Sequence, residues 1–218
     1  MSGRAPSACI FILLAFLTSA CTVANQTARE IQNPIENLPG GCEPAPTPKG
    51  PLAELIHDLR SDDACLRLSA ALAIAEIGEN ASLAVPALTT NLYYNGPWEI
   101  RASAAYALGQ IGPASKPAVP VLIAALLADF MHVRSAAATA LGTIGDASAV
   151  PALAVALQDD HSQMAIYAAE ALAILTGQEF PGLGGPGYEL NDEGVPFIVV
   201  AAQQWWTQEG LQQSWITP

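Results

Sequence analysis

The sequence predicts an all-α protein built as a stack of two-helix repeats, and three observations carry that expectation. Alanine supplies 41 of the 218 residues while aromatics are only 6%. Ala has the highest intrinsic helix propensity and lets helix backbones approach closely. A twelve-residue pattern recurs as Arg67–Gly78 (RLSAALAIAEIG), Arg101–Gly112 (RASAAYALGQIG) and Arg134–Gly145 (RSAAATALGTIG), with a weaker copy from Ala165 to Thr176 followed by Gly177. A second motif precedes the last three copies: Ala84–Leu88 (AVPAL), Ala118–Leu122 (AVPVL) and Ala149–Leu153 (AVPAL), each with a further Leu four residues on. Self-similarity at a period of 20–50 residues marks a solenoid, in which each unit buries its apolar stripe only against its neighbours.

The elements follow in chain order. Residues 1–20 read as a signal peptide, because Ala8–Leu17 (ACIFILLAFL) is an unbroken apolar run behind Arg4. A membrane-spanning helix needs roughly 20 such residues, so the run is too short to span. Leu17-Thr18-Ser19-Ala20-Cys21 follows. It resembles the lipobox of bacterial lipoproteins, although Thr18 stands where that family prefers Leu. The resemblance implies a lipid on Cys21 and an exported protein held at a membrane, facing the periplasm or the exterior. Ordinary signal-peptidase cleavage after Ala20 or Ala24 is the alternative.

Residues 21–50 read as the lipidated Cys and a Pro-rich flexible tether, with no sustained apolar period. A flexible chain of that length has an end-to-end distance on the order of 30 Å. If Cys9 leaves with the signal and Cys21 is lipidated, Cys42 and Cys65 remain as an even pair in an oxidising compartment and are expected to form a disulfide. Residues 51–177 carry the repeats. In each, the first helix opens with Pro near its first position, where a missing N–H costs nothing. The second ends at a Gly suited to positive φ. Residues 178–218 read as a Gly/Pro-rich loop and a C-terminal capping helix with Trp205 and Trp206 as core, since terminal repeats need a cover.

With the motifs in view, the paired helices and the Ala-Ala-x-Ala-Leu-Gly-x-Ile-Gly close resemble HEAT repeats of the kind first named after phycobilisome lyases. The resemblance implies a HEAT-type α-solenoid, an armadillo-like superhelix of about four two-helix repeats plus the cap. Relatives of that type include chromophore lyases and an iron hydroxylase built on His-Glu pairs. This chain contains no His-Glu dipeptide, which removes the hydroxylase's metal ligands.

Charge narrows the partners. Eight Lys+Arg face twenty Asp+Glu, a net charge of −12, and no Lys or Arg follows Arg134. Neutralising phosphates needs clustered cations, so nucleic acid is not an expected partner, and membrane contact is expected only through the lipid. No catalytic set, metal-ligand set or cofactor motif is expected. His57 reads as a surface residue. His132 and His161 fall near Asp129, Asp159 and Asp160 on successive inter-helix loops, a weak metal possibility set against plain solvated loops. Arg67, Arg101 and Arg134 read as an internal ladder of salt bridges and hydrogen bonds between repeats, with acids a few residues upstream in two of them, Asp62/Asp63 and Asp129.

Two surfaces remain for binding a protein or peptide in the cell envelope. On the second helices, positions away from the apolar stripe should line the concave side, and Leu72, Tyr106, Gln110, Tyr167 and Glu170 are its candidate contacts. An inert inner face is the alternative. Along the inter-helix loops, Tyr93, Tyr94, Trp98 and Phe130 form either an exposed ridge or a lid folded onto the core. The expected function is a non-catalytic scaffold. The runner-up is a lyase-like or oxidoreductase-like repeat enzyme or accessory subunit, with Tyr106 and Glu170 as its acid–base pair.

Overall fold

A computed structural model of the chain describes residues 50–93, 96–159, 161–181 and 196–212. The expected signal peptide, Cys21, Cys42, Tyr94, Asp160 and most of the 178–194 loop therefore lie outside the described residues. Within them the chain is helical. Four helix pairs run in order: α1 (Leu52–Asp58) with α2 (Ala64–Ile77), α3 (Val85–Tyr93) with α4 (Trp98–Ile111), α5 (Val119–Ala128) with α6 (Met131–Ile144), and α7 (Val150–Ala156) with α8 (Ser162–Thr176). A further helix, α9, spans Phe197–Gln208.

The pairs stack in two layers. α2, α4, α6 and α8 pack successively on one another, and α3, α5 and α7 do the same beside them. Alanine and glycine make the second-helix layer tight. A Cβ at Gly109 would sit 3.0 Å from Ala140 Cα, and one at Gly142 would sit 3.1 Å from Ala171 Cα. Such positions accept nothing larger than hydrogen without displacing the neighbouring backbone. Thr143 adds a polar tie across the same contact, its Oγ1 lying 3.1 Å from the Gly109 carbonyl oxygen.

Every second helix ends at a glycine with positive φ, at Gly78, Gly112, Gly145 and Gly177. Gly78 and Gly112 take ψ of −135° and −138° and lead into seven-residue 3₁₀ segments, Gly78–Ala84 and Gly112–Ala118. Gly145 is left-handed, with ψ of 28°, and leads to the short turn Ala147–Ala149. These reversals matter for two long apolar stretches, Ala64–Tyr93 and Trp98–Leu127, each 30 residues. Each is broken into two helices at its glycine, so neither is a continuous membrane-crossing rod.

The C-terminal end is closed by α9, which packs on α8 and α7. Trp205 is buried and meets Phe180 at 5.9 Å between ring centroids. Gln203 donates from Nε2 to the Leu157 carbonyl oxygen at 2.8 Å, fixing α9 to the fourth repeat.

Candidate functional site: the inter-helix edge

The arginine ladder runs along the edge where each first helix turns into its second. Each Arg reaches back to a carbonyl in its own repeat's turn: Arg67 to Ser61, Arg101 to Gly96 and Arg134 to Asp129. Among the described residues, Arg101 and Arg134 also reach forward. Arg101 donates from Nε and Nη2 to the two Asp129 carboxylate oxygens at 2.7 and 2.6 Å. Arg134 Nη2 sits 2.9 Å from Asp159. The ladder expected between repeats is thus present at these two steps, with Asp129 paired to the preceding repeat's Arg. Asp63 instead caps α2, accepting from the Cys65 N–H at 2.8 Å, and Asp129 gives Arg134 only its backbone carbonyl. The reason is geometric: stacking places the next repeat's loop over the guanidinium, whereas the carboxylate of Asp129 points back at Arg101.

Aromatic side chains lie on the same edge. Trp98 opens α4 and stacks on His132, in the first turn of α6, at 4.5 Å and 24°. It also stacks on Phe130 at 5.6 Å and 27°. Trp98 is half-buried by these contacts, while Phe130 and Tyr93 keep 54% and 71% of their surface in solvent. The two sequence alternatives are thus both realised: Trp98 folds down, and Tyr93 and Phe130 stand out. Sequence reading placed His132 in a loop beside carboxylates; its partner is an indole ring. His161 lies 3.3 Å from Asp159 through Nδ1, on a carboxylate already held by Arg134. His57 is exposed on α1 beside Asp58. Among the described residues no three His, Cys, Asp or Glu side chains come together as a metal-ligand group.

The second-helix row separates into two parts. Leu72, Tyr106 and Gln110 are partly exposed, as are Thr139 and Thr143. Tyr167 and Glu170, expected on the same surface, are buried, and so are Ser103 and Ala136. Every residue from Met164 to Ala173 is buried, because α8 packs against α6, α7 and α9. A helix enclosed on all sides presents no contact face. Burial also takes Glu170 out of reach of a groove substrate, so the Tyr106–Glu170 acid–base pairing does not form an accessible site.

Cys65, near the start of α2, is disulfide-bonded. Its possible partners Cys9, Cys21 and Cys42 all lie outside the described residues.

Residues 85–173, from α3 into α8, match the family model for HEAT repeats. No curated relative matches the chain. Among solved structures it is similar to an engineered protein from the Northeast Structural Genomics Consortium, at 23% identity and a TM-score of 0.51, over 76% of this chain and 75% of that one. A second engineered protein from the same consortium is 25% identical with a TM-score of 0.50, over 74% of each chain. The complex of CpcE and CpcF of phycocyanin lyase from Nostoc sp. is 27% identical with a TM-score of 0.42, over 62% of this chain and 70% of that chain. The repeat match and the stacked helix pairs agree: this chain is an all-α solenoid whose residues 85–173 match HEAT repeats.

Proposed function

We propose that the protein is a non-catalytic scaffold that binds another protein in the cell envelope, exported and anchored through a lipid on Cys21. The observation that carries the binding reading is the edge formed by Tyr93, Trp98, Phe130 and His132. Exposed aromatics on a rigid, pre-formed support give large contact area at little conformational cost, and such anchors dominate protein interfaces. The Arg101–Asp129 pair beneath them holds the two loops in register, so the patch is presented by fixed backbone. Export is supported by the apolar run Ala8–Leu17 before Cys21, and by a disulfide at Cys65, which suits an oxidising compartment.

A photo-crosslinker at Phe130, compared with one at Tyr106, tests the reading in the native cell. Capture of one dominant envelope protein from Phe130, lost on Trp98→Ala, is the expected result. Equal or exclusive capture from Tyr106 would move the contact to the second-helix row, and capture from neither position would defeat the scaffold reading. Labelling cells with an alkynyl fatty acid checks the anchor: wild type should incorporate it and Cys21→Ala should not.

A further inference from the structure

Glu99 is the second residue of α4 and is only 5% exposed. Burying a carboxylate is costly unless it is paired, and buried polar groups nearly always find a partner. Two other carboxylates of the inter-helix edge obey that rule, Asp129 through Arg101 and Asp159 through Arg134. Glu99 does not. Among the described residues, neither a cation nor a hydrogen-bond donor meets its carboxylate. The positive end of the α4 dipole eases a negative charge there but supplies no counter-ion.

The repeat fixes where the side chain is directed. Glu99 stands two residues before Arg101, as His132 stands two before Arg134. His132 stacks on Trp98 of the preceding repeat. At the same offset Glu99 is directed at Ala64, which opens α2 and has no ring to stack on. It therefore continues the row of Trp98, Phe130 and His132 by one step. Its oxygens are not sealed in, unlike Asn91 Nδ2 and Ser115 Oγ, so the group can still be reached from the surface.

We infer that Glu99 is the charged anchor of the aromatic edge: the bound protein presents a Lys or Arg side chain to it, while apolar surface of that protein covers Phe130 and Tyr93. The inference rests on the scaffold reading and deepens it by naming the partner's chemistry. Glu99 has already lost most of its water in the free protein, so an arriving cation gains a charge-assisted hydrogen bond without desolvating the anion a second time. The aliphatic stem of a Lys or Arg can lie along the neighbouring rings while its head reaches the carboxylate. Twenty acids against eight Lys+Arg give the whole chain the sign that draws a basic surface and repels an acidic one. The ladder cations are engaged elsewhere, Arg101 on Asp129, Arg134 on Asp159 and Arg67 on the Ser61 carbonyl.

Glu99→Gln keeps the shape of the side chain and removes its charge. Full-length wild type and Glu99→Gln, each carrying the photo-crosslinker at Phe130, are compared for capture in the native cell, and Tm is measured on both purified proteins. Capture should fall about tenfold or more. Tm should stay within about 2 °C of wild type or rise, because no partner inside the chain is lost. A fall in Tm of more than about 4 °C would show that the carboxylate is paired within the chain and would overturn the inference. The captured peptide, mapped by mass spectrometry, should carry a Lys or Arg. Replacing that residue by Gln should weaken capture as much as Glu99→Gln does, and the two changes together no further. Independent losses, or a captured surface with no Lys or Arg, would also overturn it. Undiminished capture by Glu99→Gln removes this inference and leaves the scaffold standing, whereas no capture by wild type defeats both.

Discussion

The α4–α6 junction and the α6–α8 junction follow one plan with different side chains. In both, glycine on one helix meets alanine on the next, Gly109 on Ala140 and Gly142 on Ala171, and an Arg reaches forward to an Asp in the following loop. The first junction adds more. Arg101 uses two nitrogens on two oxygens, Thr143 reaches the Gly109 carbonyl, and Trp98, Phe130 and His132 stack over the edge. At the second, Arg134 offers Asp159 a single nitrogen, the carboxylate is shared with His161, and Ile174 stands exposed at the position of Thr143. What both junctions keep is the backbone approach and the Arg. What differs lies at the exposed edge, where side chains can change without disturbing the core.

Four measurements would break or sharpen that contrast. The largest effect is expected for Gly109→Val and Gly142→Val, each losing about 3 kcal/mol by urea unfolding, because a branched side chain must enter a 3.0–3.1 Å gap against backbone. A loss under about 1 kcal/mol at either site would mean that the layers are not held by close approach. Next come the ladder pairs. Asp129→Ala should cost about 2 kcal/mol and Asp159→Ala about 1, since both pairs are largely shielded but only the first is bidentate. Equal costs would remove the distinction between the junctions.

A smaller effect separates the connecting turns. Asp146 caps the Ala147–Ala149 turn of the third repeat, accepting from the Ser148 N–H at 3.0 Å. Hydrogen bonding from the Ser148 side chain and then from its N–H holds the carboxyl below its usual 3.8, with Lys116 of the preceding turn assisting. A lowered folded pKa means that the cap contributes above pH 3.8 and is lost as pH falls through the folded value. Asp146→Asn should therefore flatten that part of the acid-unfolding profile, and Asp146→Ala should cost about 1 kcal/mol near neutral pH. The smallest stability change, within about 0.5 kcal/mol, is expected for Phe130→Ala, because the ring is already more than half in solvent. Partner capture should nevertheless fall at least tenfold; unchanged capture would make the aromatic edge a structural ornament of the first junction.

The repeated Arg was legible as a ladder because one residue type recurs at one position while its surroundings change. That the ladder runs between repeats was legible too, but not which Asp meets which Arg: Asp129 precedes Arg134 by five residues, and its carboxylate serves Arg101, 28 residues upstream. The same limit hid His132, whose nearest acids in sequence drew attention away from a Trp in the preceding repeat. Tyr167 and Glu170 repeat the register of partly exposed Leu72 and Tyr106 but are buried, because α8 is, among the described second helices, the one against which α9 packs.

By itself the sequence determined the helices, their glycine ends and the repeat stack. Those depend on local dihedral preference and on an apolar stripe with helical period, both of which are written in neighbouring residues. Only the tertiary structure decided which carboxylate meets which arginine and which aromatics stay in water. Those depend on the offset between successive repeats, and that offset is set by how closely Gly109 and Gly142 let adjacent backbones approach.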